Sequence, residues 1–524
     1  MEHPKGVKRK HTGSEVDTVI AKVGPRTSKA QGPSRPQVAL GQDSISLGSD
    51  EFRSKAALIS PPDSGRDDTW FKNLYSGDLD FRHLGEEDSD IREVLQDGSH
   101  IDFSNPASVM QLTKTLLRVH FGLRVDLPPD RLCPPVPNRH NYVLWLKDLI
   151  DSTSTIYSDL YDPDRRVVGL DIGTGASAIY PLLGCAQRPW SFVATEVDAK
   201  SLEYARENVK LNDFTPRIRI VQRGIEDSLV PLDDVGIDNI DFVMTNPPFY
   251  ASEDELATLA QQKSRPPNSA CTGAPVEMVC EGGEVRFVQR IIEESLVLRQ
   301  RVQWYTSMLG KQSSLEVLVD TLRNYGITNY AVKAFIQGNK TRRWALGWSF
   351  VERRPCLDAS RGFEPAAGRK ILPHPTEVSV TIPSTKDHSI DALRRAICDT
   401  MASLDLTKWH WDRHRSRGVG FADGNVWGRA YRRKKARESQ RADETRGGAA
   451  LGGTQQDVMK CAFGFSISIK IGMDGGTDDV SDGGIGSGRA AVSLRWLQGR
   501  DYALFESFSG VLRSAVRSQD SSDG

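Results

Sequence analysis

The chain has 524 residues, 38% hydrophobic and 26% charged, with a formal net charge of −1. That length allows two or three domains, and the apolar share supports at least one core while leaving room for disordered segments. The near-zero charge excludes a global basic field, so any nucleic-acid contact must come from local patches. The seven cysteines are scattered without a C-x-x-C pair, which excludes a disulfide framework and a zinc site.

The start, "MEHPKGVKRKHTG", has no apolar signal core, and no apolar run approaches about 18 residues, so a soluble intracellular protein with no membrane partner is expected. Lys8, Arg9 and Lys10 read either as a nuclear import signal or as part of a charged tail. Nucleus is the expected location, with cytoplasm the alternative. Residues 1–68 are rich in Ser, Pro, Gly and charge without any period, which predicts a disordered tail. Order is expected from "WFKNLY" onward. A helix follows in "SNPASVMQLTKTLLRVHFG", capped by Asn105, with Pro106 in its first turn and Gly122 at its end.

From about residue 165 strands and helices alternate: "VVGLDIG", "SFVATEVD", the helix "AKSLEYARENVKLND" capped by Asp198, then strands "RIRIVQ" and "IDFVMT". After a long loop come a helix at "EVRFVQRIIEESLVLRQRV", a strand at "WYTSML" and a helix from Ser313 to Gly326. "NYAVKAFIQ" and "RRWALGWSF" close the series as a hairpin. The expected fold is α/β: a Rossmann-like, mostly parallel sheet with helices on both faces and an antiparallel edge hairpin, over residues 69–352. Residues 353–375 read as a proline-containing linker. A small α+β domain is expected over 376–515, built as strand, helix, strand, strand, helix. Its disordered insertions are placed at 438–456 and 473–489, with a disordered end at 516–524.

Two stretches carry chemistry. In "GLDIGTGAS" a strand runs into a glycine turn and a helix; Gly173 and Gly175 let a ligand approach the backbone, and Asp171 and Glu196 supply carboxylates. An acid at the end of the next strand can accept ribose hydroxyls. The lack of a phosphate-gripping cation favours a nucleoside without phosphates, such as S-adenosylmethionine. "MTNPPFYAS" ends another strand. The Asn246 side chain and the Pro247 carbonyl can accept the two hydrogens of a base or amide amino group. Pro247 and Pro248 stiffen the acceptors, and Phe249 can stack on a base. A rigid strand terminator is the plain alternative for N-P-P alone. No metal site is expected.

The blocks "LDIGTGASAIYPLLG", "ATEVD", "NPPFYA", "EGGEVRFVQRII", "WYTSMLGK" and "RRWALGWSF" occur in the order and spacing of one family. The chain resembles the methyltransferase-like 16 family of RNA adenine-N6 methyltransferases, which is related to the bacterial 23S ribosomal RNA enzymes. The resemblance covers about residues 69–352, including a helical arm before the sheet. It implies a class I methyltransferase fold, S-adenosylmethionine as cofactor, and an unpaired adenosine in structured RNA as target, U6 small nuclear RNA first. Ribosomal RNA, or a mainly RNA-binding role on a retained fold, are the alternatives. It also implies cofactor contacts at Arg139, Gly173, Ser177, Glu196 and Asp227, and a catalytic motif at Asn246, Pro247, Pro248 and Phe249. By itself Arg139 reads as a partner for a methionine carboxylate or as a surface charge, and Ser177 as a contact or a helix cap.

Lys263 and Arg265 in the loop after the motif, and Lys340, Arg342 and Arg343 in the hairpin, read either as RNA grips or as solvated surface charges. "WGRAYRRKKAR" adds Arg429, Arg432, Arg433, Lys434, Lys435 and Arg437, with Trp427 and Tyr431 interleaved and no acid between them, which reads as an RNA clamp or, alternatively, as a nuclear signal or a solvated helix face. More faintly, this region resembles the family's carboxyl-terminal RNA-binding domain.

Overall fold

The computed structural model describes residues 65–252, 254–255, 273–337, 341–363, 370–383, 390–444, 461–472 and 489–517. The Lys8–Lys10 cluster, Lys263, Arg265 and Lys340 lie outside the described residues. Order begins earlier than the expected tail boundary at 68: Asp67 caps the helix Asp68–Asn73, and Asp68 pairs with the buried Lys147 and Arg188.

Asn105 accepts a bond from the Ala107 amide and starts helix α1 (Pro106–Phe121), while Gly122, at φ 67°, ends it. A minor ribbon of β1 (Leu95–Gln96) and β2 (His100–Ile101) precedes it, and α2 (Val136–Ser152) follows. The main body is an eight-stranded sheet. Its parallel core comprises β3 (Val168–Ile172), β4 (Ser191–Glu196), β5 (Ile218–Gln222), β6 (Ile240–Thr245) and β7 (Val302–Leu309). The hairpin of β8 (Tyr330–Gln337) and β9 (Thr341–Trp348) sits at one edge. β9 pairs antiparallel to both β7 and β8, so the single reversed strand is the inner one of the pair. The spatial order is β10-β8-β9-β7-β6-β3-β4-β5, where β10 is Arg361–Gly362.

Both faces of this sheet are covered, as its continuous apolar strands require. Phe192, Phe242, Trp304 and Met308 face α1, α2, α3 (Ile179–Gln187) and α4 (Ala199–Leu211). Val168, Leu170, Val243 and Leu309 face α5 (Gly283–Leu298) and α6 (Gln312–Asn324). The chain runs outward from β3 through β4 to β5, then returns to lay β6 on the other side of β3. A ligand crevice forms where strand order reverses in this way, beyond the carboxyl ends.

The stretch 353–375 is not the linker its prolines suggested. Its described residues form the short helix Leu357–Ser360 and β10, which extends the main sheet beside β8. Ala359, Ile371 and Leu372 are buried, and the Trp145 indole donates to the Ala359 carbonyl at 2.8 Å. Apolar anchors outweigh the irregular backbone here.

The carboxyl-terminal region is a five-stranded antiparallel sheet of order β11-β15-β14-β13-β12. The strands are β11 (Glu377–Pro383), β12 (Lys408–Asp412), β13 (Arg417–Ala422), β14 (Phe463–Gly472) and β15 (Arg489–Gln498). Helices α7 (Ile390–Ala402) and α9 (Tyr502–Arg517) pack on one face through Leu393, Ile397, Phe505, Phe508 and Leu512. The β12–β13 hairpin was missed in the sequence. Helix α8 (Arg429–Glu444) runs into the expected insertion at 438, β15 begins at 489, and α9 continues to 517.

The two sheets are joined through charge and backbone. Arg354 donates to the Gly499 carbonyl at 2.8 Å and to the Thr328 carbonyl at 3.1 Å, and its guanidinium lies 4.1 Å from the Trp496 ring. Arg495 pairs with Asp159 and donates to the Ser152 carbonyl at 2.7 Å, while Arg417 donates to the Tyr157 carbonyl at 2.9 Å. Burial pulls both Arg354 and Arg495 down to about 10.

Candidate active site and nucleic-acid interface

A cavity of about 840 Å³ opens at the carboxyl ends of β3, β4 and β6. Its floor is the glycine turn. Gly173 and Gly175 take left-handed φ values of 70° and 66°, which an L side chain strains to adopt. The amides of Gly173 and Thr174 both donate to the Thr195 carbonyl, which ties the turn to β4. The next amide, of Gly175, donates to Glu196 Oε2 at 2.8 Å. Glu196 Oε1 accepts from the Val197 and Asp198 amides at 2.8 and 3.0 Å. Three backbone donors therefore fix this carboxylate in the cavity wall, with lone pairs left over for a diol.

Arg139, Gly173, Gly175, Ser177, Glu196, Asp227 and Asn246 all line the cavity, although they span more than 100 residues of sequence. The reading of Ser177 as a cap is excluded: the capping position is Ala178, in a left-handed conformation with no side-chain bond. Arg139 is buried rather than a surface charge. Its guanidinium lies 5.6 Å from the Tyr180 ring, 3.3 Å from Met308 Sδ and 3.4 Å from Asn246 Oδ1. Asp227 turns its carboxylate back onto its own loop, accepting the Gly224 amide at 2.7 Å and facing Arg223 at 3.5 Å.

Asp171 stands one layer behind the lining, a correction to its placement among direct contacts. It is wholly buried and neither oxygen has a hydrogen-bond partner. Burial pushes its carboxyl up to about 7. The Thr174 hydroxyl and the Arg139 charge pull the other way without closing a bond to it, and Glu196 adds to the rise. The Thr174 and Tyr180 hydroxyls, both on the lining, are also buried without partners. A ligand with several polar groups fits these orphaned atoms, the oriented Glu196 and the buried Arg139 cation.

At the rim, Thr245 donates to the Ile172 carbonyl at 2.9 Å, so β6 ends in register with the glycine turn. Asn246 and Pro248 line the cavity, Pro247 is buried beside them, and Phe249 leaves the lining for a separate seat. Its ring lies where a side chain on Gly310 would be, 2.8 Å from that missing Cβ, with the Arg343 guanidinium 5.6 Å from the ring centre. Arg343 is partly buried, which lowers its pKa, and the nearby Arg139 adds to that. Arg342 is exposed.

Sequence reasoning missed the wall beside Gly175, where a Cβ would lie 3.9 Å from Glu277 Oε1. Leu132, Val276 and Glu277 form it, with Glu277 Oε2 accepting the Leu132 and Ala274 amides at 2.9 Å each. It also gave no role to Glu284, whose buried carboxylate accepts the Gly310 amide at 2.6 Å and the Lys311 amide at 3.1 Å, beneath the Phe249 seat. The signal was present in "EGGEV": two glycines at φ 74° and 62° leading into a first-turn acid.

The basic run forms helix α8. Arg429, Arg432, Arg433, Lys434, Lys435 and Arg437 are exposed. Lys435 is committed to Asp405 and Lys434 lies 3.8 Å from Glu438. The interleaved aromatics turn inward to the domain. Trp427 is buried against Phe463 and Phe508, its indole donating to Ser507 at 3.0 Å, and Tyr431 donates to Asp405 at 2.9 Å. Apolar contact fixes Trp427, and the bond to Asp405 holds Tyr431.

A family model described as RNA methyltransferase matches residues 67–352. The chain belongs to this methyltransferase-like 16 family. A Schizosaccharomyces pombe relative, U6 small nuclear RNA (adenine-(43)-N(6))-methyltransferase, is 36% identical over 82% of this chain and 97% of its own length. The human RNA N(6)-adenosine-methyltransferase METTL16 is 41% identical over 52% of this chain, which spans about half (49%) of that relative. A solved N-terminal domain of human METTL16 in complex with SAH shares 37% identity over 53% of this chain and 96% of that one, with a TM-score of 0.44. The family assignment makes this chain an RNA methyltransferase, and its site lies where the fold places it.

Among the described residues no helix is long and apolar enough to cross a membrane, and no group of three or more metal-ligating side chains occurs.

Proposed function

We propose that the chain transfers a methyl group from S-adenosylmethionine to the N6 amine of an unpaired adenosine in a folded RNA, with U6 small nuclear RNA as the first substrate. One observation carries this reading: Asn246, an amide acceptor at the end of β6, opens onto the same cavity as the backbone-fixed Glu196 and the buried Arg139.

Glu196 would hold the ribose hydroxyls and Arg139 the methionine carboxylate, with Thr174 and Tyr180 supplying hydroxyls that have no other partner. The cofactor, when bound, supplies an electrophilic methyl group. The adenine amine is a poor nucleophile because its lone pair is delocalised into the ring. Asn246 Oδ1 and the Pro247 carbonyl accept its two hydrogens and turn that lone pair out of conjugation. Phe249, seated on Gly310 beneath Arg343, offers one face to the base. Relatives that carry U6 or adenosine methylation in their names support the substrate.

The test is label transfer from S-adenosylmethionine to U6 RNA, ribosomal RNA or a release-factor protein in parallel. Label on U6 at an adenosine N6 is expected; label on ribosomal RNA alone would move the substrate, and label on protein alone would end the RNA reading. A nuclear location belongs to this proposal, and a tagged chain found only in cytoplasm would remove it.

A further inference from the structure

The stretch Asn246–Phe249 leaves β6 as irregular backbone, so its shape depends on what it touches. Its exit is tied to the segment ahead of α5. The Tyr250 amide donates to the Met278 carbonyl and the Cys280 amide to the Tyr250 carbonyl, each at 3.0 Å. Gly283 follows at φ 62°, and a Cβ there would come within 3.4 Å of the Ala251 amide nitrogen and 3.5 Å of the Phe249 carbonyl oxygen. That side holds the main chain. The Phe249 ring depends on a different support, the turn after β7 at Gly310 and Lys311.

Glu284 fixes that turn. An acid in the first turn of a helix is stabilised by the free amides of its own helix. Glu284 instead reaches across to the end of β7, where Oε2 accepts the Gly310 amide at 2.6 Å and Oε1 the Lys311 amide at 3.1 Å. It is only 2% exposed, and a carboxylate so buried persists only where donors satisfy it. A Cβ on Gly310 would lie 2.8 Å from Phe249 Cδ1 and 3.3 Å from Glu284 Oε2, so the ring and the carboxylate meet at one residue. The Lys311 ammonium closes a circuit. It lies 3.0 Å from Glu255 Oε1, and Glu255 Oε2 accepts the Ala251 amide at 2.7 Å.

Resting on the adenosine-methyltransferase reading above, we propose that Glu284 is a positioning residue for methyl transfer. It acts through Gly310 on the Phe249 ring, and so sets the plane in which the target adenine lies against Asn246. Glu284 does not line the cavity, so its influence on the reaction passes through that ring. The role needs a carboxylate. A carboxamide offers one acceptor oxygen and turns its own N–H groups toward the second amide.

The test compares Glu284→Gln, Gly310→Ala and Phe249→Leu with the double variant Glu284→Gln/Phe249→Leu. Single-turnover rates are measured on the RNA that the parent labels, beside affinities for that RNA and for S-adenosylhomocysteine. Glu284→Gln and Gly310→Ala should each slow transfer by about 10- to 100-fold, the scale of a displacement of about 1 Å at a reacting group. Both affinities should stay within about twofold. Added to Phe249→Leu, the Glu284 change should cost less than about twofold more, because the ring it positions is already gone. A full further loss in the double variant would overturn the proposal and leave Glu284 a support of the fold alone. So would an unchanged rate in Glu284→Gln, or a loss of either affinity in proportion to the rate. A parent that labels no RNA would end the functional reading and leave the link from Glu284 to the ring to a second measurement. With 4-fluorophenylalanine placed at position 249, the fluorine resonance should shift or split in both Glu284→Gln and Gly310→Ala. A resonance that stays in place in Glu284→Gln would overturn the link itself.

Discussion

The cavity and helix α8 both carry charged side chains, and they hold them in opposite ways. In the cavity Glu196 is fixed by three amides and Arg139 is buried between Tyr180 and Met308, and beside it the Phe249 ring rests where Gly310 has no side chain. On α8 the arginines project freely, with only Lys434 and Lys435 drawn to acids. The difference fits the proposed tasks. Methyl transfer rewards acceptors already in position, because reorganisation at the moment of reaction raises the barrier. Holding a phosphate backbone rewards counterion release, which needs charge density and little geometry.

That contrast breaks most sharply at Asn246. Asn246→Ala should lower kcat by at least about 100-fold, the usual cost of one preorganised polar contact in a transition state, and leave RNA affinity within about twofold. Retained turnover in single-turnover assays would remove the amino-acceptor role. Glu196→Ala comes next. It frees three amides as well as a diol acceptor, so cofactor affinity should fall by roughly 10- to 100-fold with RNA binding intact. Titration calorimetry with S-adenosylhomocysteine measures it, and an unchanged Kd would place the ribose elsewhere.

On the α8 side, changing Arg429, Arg432, Arg433 and Arg437 together to Ala should reduce the slope of log K against log salt by about 3, close to one unit per lost phosphate contact. Lys435→Ala should do less than any single arginine, since Asp405 already holds that ammonium. An arginine variant with an unchanged slope would make α8 a solvated surface.

The smallest effect concerns stability. Between about pH 4 and 7 the unfolded chain ionises Asp171 while burial keeps the folded carboxyl protonated, so its contribution to stability is present at low pH and lost as pH rises toward 7. Asp171→Asn should therefore melt several degrees higher than the parent at pH 8 and no higher at pH 4, read by scanning calorimetry. Equal shifts at both pH values would mean the carboxylate is solvated.

Much of the catalytic half is legible in sequence because its signals are local. A strand ending in G-T-G, an acid ending the next strand and N-P-P-F ending a third each announce a position, and the fold only has to bring strand ends together. Arg139 is different: it lies on α2, more than 100 residues from Asn246, and nothing local distinguishes it from a surface cation. Glu277 and Glu284 were overlooked because they act on backbone amides brought from elsewhere in the chain, at Leu132 and Gly310. In the carboxyl-terminal half the β12–β13 hairpin hid behind its charge. In "KWHWDRHRSRGVGFA" the alternation of Trp409 and Trp411 with polar residues is strand-like, but the run is short and dense in basic residues, so the period is weak. Trp427, an aromatic among arginines, suits stacking and core packing equally by sequence, and only its neighbours Phe463 and Phe508 decide for the core.

The short helix Leu357–Ser360 and strand β10 bear on where this chain can be cut. A fragment ending at 352, where the match to the family model stops, would strip the Ala359 carbonyl from the Trp145 indole and leave that buried N–H unpaired, at a cost of about 1–3 kcal/mol. It would also uncover β8 as a bare sheet edge, the kind of surface on which expressed fragments associate. A fragment carried through Gly362 keeps both groups satisfied. Limited proteolysis of the full chain should accordingly spare residues 353–362, and a laboratory preparing the catalytic half alone should place its stop codon beyond β10.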